Sequence, residues 1–301
     1  WEQEEVGNLP RICRQFSPNL CKIKQYSIMY YLPNNRTFWN YSGIGLLLLL
    51  LIISMLTFSS AIGMVMSKYY HLGFATFLKA VQGKMGYSYT NIARLYNFLS
   101  FLCFMLFPSL LLLTINRTRL KELLSFRKPG FKQMSISVLL IILAIPIGMY
   151  LVFLMEGFAW PALVKSWANA LNTGRESQFK LLLRMGDIWD LFICLGLLAV
   201  LPAFCEELLF RGITQPILMH KTGKVWLPII LQALVFSMLH FSFYEFFTIF
   251  GLGILLGVIA YRYGILMSMV AHFTFNSTSI IAEYLSQKGM QEAQVFSSNN
   301  Y

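Results

Sequence analysis

Residues 195–212 read Leu195-Gly-Leu-Leu-Ala-Val-Leu-Pro-Ala-Phe-Cys-Glu-Glu-Leu-Leu-Phe-Arg-Gly212, an apolar run that ends in two adjacent carboxylates and an arginine. A charged side chain near the centre of a membrane helix costs about 2.5 kcal/mol or more, so Glu206, Glu207 and Arg211 each need a partner or a task. Glu207 and Arg211 are four apart. They share a helix face in the favourable acid-before-base order, whereas Glu206 points about 100° away. The pattern predicts that Arg211 neutralises Glu207 and leaves Glu206 for chemistry. Pro202 removes the backbone donor to the carbonyl of residue 198 and predicts a bend just ahead of the carboxylates.

The rest of the chain fits a membrane reading of this stretch. Of 301 residues, 57% are hydrophobic and only 12% charged, with a mean hydropathy of +0.60. Soluble domains carry about 25% charged residues, so an all-α polytopic transmembrane bundle is expected. Apolar stretches near span length lie at 44–66, 95–115, 135–155, 188–210, 225–244, 246–262 and 264–283. They imply about seven to eight spans in one domain, 44–283, with scaffold at 44–155, a connection at 156–187 and the polar core at 188–283. Residues 1–43 read as a polar, basic N-terminal tail and 284–301 as a C-terminal tail. Segment 67–94 is expected to be a loop, 156–187 to be long enough for an amphipathic surface helix or partial lid, and Pro108 and Pro146 to kink their helices.

The net charge of +11 is an orientation signal rather than a nucleic-acid footprint, because the 24 Lys and Arg fall mostly in loops. The side bearing the tail and the dense 117–132 loop carries 14 of them and the other side 9, with Arg211 set aside. That bias places the N-terminus in the cytoplasm, and no nucleic-acid partner is expected. Five cysteines make no metal-site spacing. Cys103, Cys194 and Cys205 lie in apolar spans as small hydrophobes, and Cys13 and Cys21 could pair only in an oxidising compartment.

Two later spans carry the remaining costly groups. Phe236 and His240 are four apart, as are His272 and Asn276, and Gly251, Gly253 and Gly257 on the span between include a Gly-x-x-x-Gly pair that permits close packing. Each has a bland reading: a lone intramembrane histidine usually bonds a backbone carbonyl, and a carboxylate pair also suits a proton site in a transporter. Two of only four histidines in spans that follow the Glu pair favour one buried site.

Taken in order, Glu206-Glu207-x-x-x-Arg211, Phe236-x-x-x-His240 and His272-x-x-x-Asn276 closely resemble the CPBP family of intramembrane proteases. That family includes the type II CAAX prenyl endopeptidases and bacterial proteins linked to bacteriocin processing and self-immunity. The resemblance covers roughly residues 95–283. It implies hydrolysis of a peptide bond in a membrane-associated peptide or protein by a glutamate-activated water. Carried over by position, Glu206 is the general base and His240 binds and orients the water. His272 and Asn276 stabilise the oxyanion, and Glu207 with Arg211 supports the site. Glu206, His240 and His272 could ligate zinc, but no His-Glu-x-x-His pair is present and a metal-free route is expected. A Cys205 thiol nucleophile is disfavoured, because consecutive helical residues diverge. Two other readings stay open: a non-catalytic immunity or scaffold protein of the same family, and a proton-coupled transporter using Glu206. So do a homo-oligomer and a sensor-protein partner.

Overall fold

The computed structural model describes residues 41–115 and 130–298. The expected tail 1–43 with Cys13 and Cys21, apart from its last residues, and most of the basic 117–132 loop lie outside the described residues. Every regular element among the described residues is a helix. Helix α1 is Tyr41–Tyr69 and α2 is Phe74–Val81. Helix α3, residues 90–115, joins Thr90–Phe101, Leu102–Leu106 and Phe107–Ile115. Helix α4 is Phe131–Gly157 and α5 is Ala162–Leu182. Helix α6, residues 188–222, joins Ile188–Leu195, Gly196–Val200, Leu201–Glu207, Leu208–Thr214 and Gln215–Thr222. Then come α7, Trp226–Met238, α8, Phe246–Tyr263, and α9, Ile265–Ser298.

Five stretches among the described residues are helical, long and apolar enough to cross a membrane: Tyr87–Thr114, Phe131–Gly157, Ile188–Met219, Phe246–Tyr263 and Ile265–Gly289. The chain is thus a multi-pass, all-α membrane protein. On α4 the exposed Leu139, Ile142, Leu143, Ile147 and Phe153 form the wall expected where lipid is the solvent. The stretch 225–244 is shorter as a helix, 13 residues, and closes beyond Leu239 where Phe241 adopts a left-handed φ of 49°.

Three prolines explain the irregular helices. A proline withdraws the donor for the carbonyl four residues back. In each case that carbonyl lies inside a π-helical turn: residue 104 in Leu102–Leu106 before Pro108, 198 in Gly196–Val200 before Pro202, and 212 in Leu208–Thr214 before Pro216. Widening the ladder to a five-residue spacing absorbs the missing bond, and such turns favour functional sites. Pro146 has no such effect, and α4 stays α-helical along its length.

Two segments depart from a simple loop reading. Between α1 and α3, the stretch 67–94 continues α1 to Tyr69 and then forms α2, because Phe77, Ala80 and Val81 make a buried stripe at helical spacing. The connection 156–187 is mostly α5, which buries Ala168, Leu181 and Leu182 and leaves its other side chains partly or fully exposed. Its far end is fastened by Arg94 of α3. That side chain donates to Leu182 O (3.1 Å), Arg184 O (2.6 Å) and Asp190 Oδ1 (2.6 Å), and lies 3.3 Å from Cys194 Sγ. Helix α9 does not stop near residue 283 but continues to Ser298.

Helices α7 and α8 approach closely through two of the three glycines. A Cβ on Gly253 would come within 2.9 Å of Ala233 Cβ, and one on Gly257 within 2.7 Å of Gln232 Nε2. Gly251 faces open space.

Candidate active site

Three helices supply the polar groups, each as a stripe at four-residue spacing. They are Glu207-Arg211-Gln215 on α6, Gln232-Phe236 on α7 with His240 just beyond it, and Ser268-His272-Asn276 on α9. The four-residue step keeps each stripe on one face, so three stripes meet around the glycine edge of α8. Arg211 Nη2 (3.1 Å) and Gln232 Nε2 (3.3 Å) both donate to Gly253 O, and Gln215 Nε2 donates to Gly257 O (3.1 Å). A side chain at either glycine would displace these contacts.

Glu207 and Arg211 form the expected ion pair, with Arg211 Nη1 donating to Glu207 Oε1 at 2.7 Å and both side chains fully buried. Glu207 accepts two more bonds: from His272 Nδ1 to Oε1 (2.9 Å) and from Ser268 Oγ to Oε2 (2.5 Å). A carboxylate with three donors satisfies most of its hydrogen-bonding capacity, which is how a buried anion is tolerated. It is therefore committed to structure. The bond also fixes His272: with Nδ1 donating its hydrogen, Nε2 points away from Glu207 and towards Glu206 Oε2, 3.8 Å off.

Glu206 has the opposite environment. It is 6% exposed, and its Oε2 is buried without a hydrogen-bond partner. A distance of 3.8 Å to His272 is too long for a direct bond. Glu206 lines a cavity of about 610 Å³ together with Phe210, Phe236 and His240. The opposite wall comes from Phe101, Phe104 and Met105 of α3 and from Ala170, Leu171 and Gly174 of α5. Helix α5 is tied over this space by the ion pair of Arg175 with Glu245 and by Tyr244 Oη donating to Asn169 Oδ1 at 2.7 Å.

His240 is half-buried one residue past Leu239, the C-cap of α7, and its Nδ1 lies 2.7 Å from Phe236 O. A carbonyl can only accept, so Nδ1 carries the hydrogen and Nε2 is the free nitrogen of the neutral ring. Phe236 packs between the two imidazoles, 4.5 Å from the His240 ring and 6.0 Å from that of His272, and the Arg211 guanidinium sits 4.7 Å over its face. This ring therefore separates the cation from the cavity.

Asn276 is placed differently from the other expected residues. Its Nδ2 donates to Leu198 O at 3.3 Å, the carbonyl that Pro202 leaves without its usual donor. One amide hydrogen is used in this way, and the second is left for another acceptor. Neither His272 nor Asn276 is among the residues that line the cavity. Cys205 is fully buried in the apolar core with Leu208 and Leu209. Among the described residues no three His, Cys, Asp or Glu side chains are arranged to hold a metal ion. The residues that sequence reasoning passed over are Ser268, Gln232 and Gln215. Each extends a polar stripe by one further step of four, which was the available signal.

Residues 188–278 match the family model described as type II CAAX prenyl endopeptidase, Rce1-like. The match runs from the start of α6 into α9. It takes in Glu206, Glu207, Arg211, His240, His272 and Asn276, and leaves helices α1–α5 outside. No curated protein and no solved structure matches the chain.

Proposed function

We propose that this chain, with its Rce1-like segment at residues 188–278, is an intramembrane endopeptidase. In this reading Glu206 activates a water against a peptide bond of a membrane-associated peptide or protein. The observation that carries the reading is the contrast between adjacent carboxylates: Glu207 accepts from three donors, while Glu206 Oε2 has none, and the Glu206 side chain lines a mainly apolar cavity beside His240. An unpartnered buried carboxylate is costly, and a general base needs that availability.

In the proposed reaction, the unprotonated Nε2 of neutral His240 accepts a hydrogen bond from the water and orients it, and Glu206 takes its proton. The hydroxide adds to the carbonyl carbon, and the negative charge moves to the carbonyl oxygen. The unused amide hydrogen of Asn276 donates to this oxyanion when substrate brings it within reach, and His272 joins it through Nε2 after taking up a proton from solvent, which it gives back when the products leave. Because neither residue lines the cavity, the scissile bond has to reach past its wall to meet them. Glu206 then returns its proton to the leaving amine as the tetrahedral intermediate collapses. Glu207 and Arg211 act only by holding His272 and α8. All of these groups are side chains of the chain itself, and a chelator is not expected to stop the reaction.

The test is quantitative peptide proteomics of membranes containing either the wild-type chain or Glu206→Gln. Cleavage products present with wild type and missing with the variant are expected; identical peptide profiles would refute hydrolysis. An immunity or scaffold protein would keep its phenotype in at least one of Glu206→Ala and His240→Ala. We further propose a bacterial cytoplasmic membrane, on the likeness of residues 201–212 to bacterial members of the family, and a cytoplasmic N-terminus, on the loop charge bias. A reporter fused ahead of Trp1 that is active only outside the cytoplasm should remain silent.

A further inference from the structure

The three bonds on Glu207 are unevenly shared. Oε1 accepts from both Arg211 Nη1 and His272 Nδ1, whereas among the described residues Oε2 accepts from Ser268 Oγ alone. Ser268 is fully buried, and its hydroxyl also lies 3.0 Å from Leu256 O on α8. One hydrogen serves one acceptor well, and the nearer, charged oxygen takes it. Beside this pair, Arg211 Nε is buried with no hydrogen-bond partner. An arginine and a carboxylate ordinarily meet through two parallel bonds. Here they make one, and a donor of the guanidinium goes unused. Something must hold the carboxylate in this less than optimal pose, and its free end is pinned by Ser268.

We propose that Ser268 is a positioning residue for the reaction. Its hydroxyl anchors Glu207 Oε2 and keeps the carboxylate from turning onto Arg211 Nε. Glu207 Oε1 then holds the Nδ1 hydrogen of His272, and His272 Nε2 faces Glu206. Without the hydroxyl, Oε2 would be a buried anionic oxygen lacking a donor, and the nearest remedy is rotation towards Arg211 Nε, which releases His272. The catalytic consequence rests on the hydrolytic reading above; the orientation of His272 does not, so the two can fail separately.

The experiment is ¹⁵N-histidine NMR on the full chain in lipid nanodiscs, with the His272 signals identified by their loss in His272→Gln. In the wild type the neutral ring is expected as one tautomer, protonated at Nδ1, with that proton far downfield because its acceptor is a carboxylate. Ser268→Ala is expected to lose the downfield proton and show mixed tautomers, while His240, bonded to Phe236 O, keeps its pattern. Ser268→Thr, which retains a hydroxyl, should keep the wild-type His272 signals. An unchanged His272 pattern in Ser268→Ala overturns the proposal, whether or not any peptide is cleaved. So does an equal disturbance of His240, or loss of the pattern in Ser268→Thr as well, since either would point to packing rather than to the hydroxyl. If Ser268→Ala does not fold, Ser268→Cys, similar in size with a weak donor, carries the same expectation. Once a substrate is in hand, Ser268→Ala should lower kcat about ten-fold with KM unchanged; a change in KM alone counts against the role.

Discussion

Two buried arginines, Arg94 and Arg211, look alike in isolation and do different work. Arg94 is 5% exposed and donates to two backbone carbonyls at the end of α5 and to Asp190, whose side chain is 28% exposed. Arg211 is 1% exposed and donates to Glu207, itself without solvent contact, and to the backbone of α8. The Arg94 network ends in main chain and solvent, so it is a clamp that fixes the connection between α5 and α6. The Arg211 network ends, through Glu207 and His272, at the unpartnered carboxylate of Glu206. A buried ion pair alone therefore says little about a site. What marks one is a network that leads to a titratable group left unsatisfied beside a cavity.

Substitutions can break this comparison or sharpen it. The largest expected effect is that of Glu206→Gln: turnover should fall about 10³-fold or more with the fold intact, measured as product formation by purified protein in nanodiscs. Next, Arg211→Met should leave Glu207 buried and unpaired, lowering stability by about 3–5 kcal/mol and abolishing turnover. Arg94→Met should also cost stability, seen as a lower Tm in the same lipid, yet turnover per folded molecule should stay near wild type. If Arg94→Met abolishes turnover by the folded protein while Arg211→Met does not, the division between clamp and site is wrong. Asn276→Ala should lower kcat about 10²-fold, the scale of losing one oxyanion donor. It should also cost some stability, because Leu198 O loses the amide that compensates for Pro202. The smallest effects separate the glycines: Gly257→Ala should destabilise by about 1–3 kcal/mol through overpacking against Gln232, whereas Gly251→Ala should be close to neutral.

The contrast between the two arginines is also a contrast in legibility. Glu207 and Arg211 are four residues apart on one helix, so their pairing follows from helix geometry, and so do the Phe236–His240 and His272–Asn276 stripes. Arg94 and Asp190 are 96 positions apart, and nothing local joins them. For the same reason, segment 67–94 reads as a loop: the stripe of Phe77, Ala80 and Val81 is too short to stand out until its partners Met66, Ala93 and Leu182 are brought against it. Ser268 was within reach, since it lies one step before His272, but a serine in a membrane helix usually bonds its own backbone and gives no local reason to be singled out.

The sequence by itself determined that the chain is a helical membrane protein, that the polar groups of the candidate site fall on three apolar stretches after residue 200, and that Glu207, not Glu206, pairs with Arg211. These follow from composition and from the 3.6-residue period, which act over a few turns of one helix. Only the tertiary structure decided that His272 is held by Glu207 with its other nitrogen facing Glu206, that Asn276 repairs the carbonyl freed by Pro202, and that α5 roofs the cavity. Those depend on how helices separated by tens of residues are rotated against the glycine edge of α8. Such rotations are set by packing across the bundle, and no single segment encodes them.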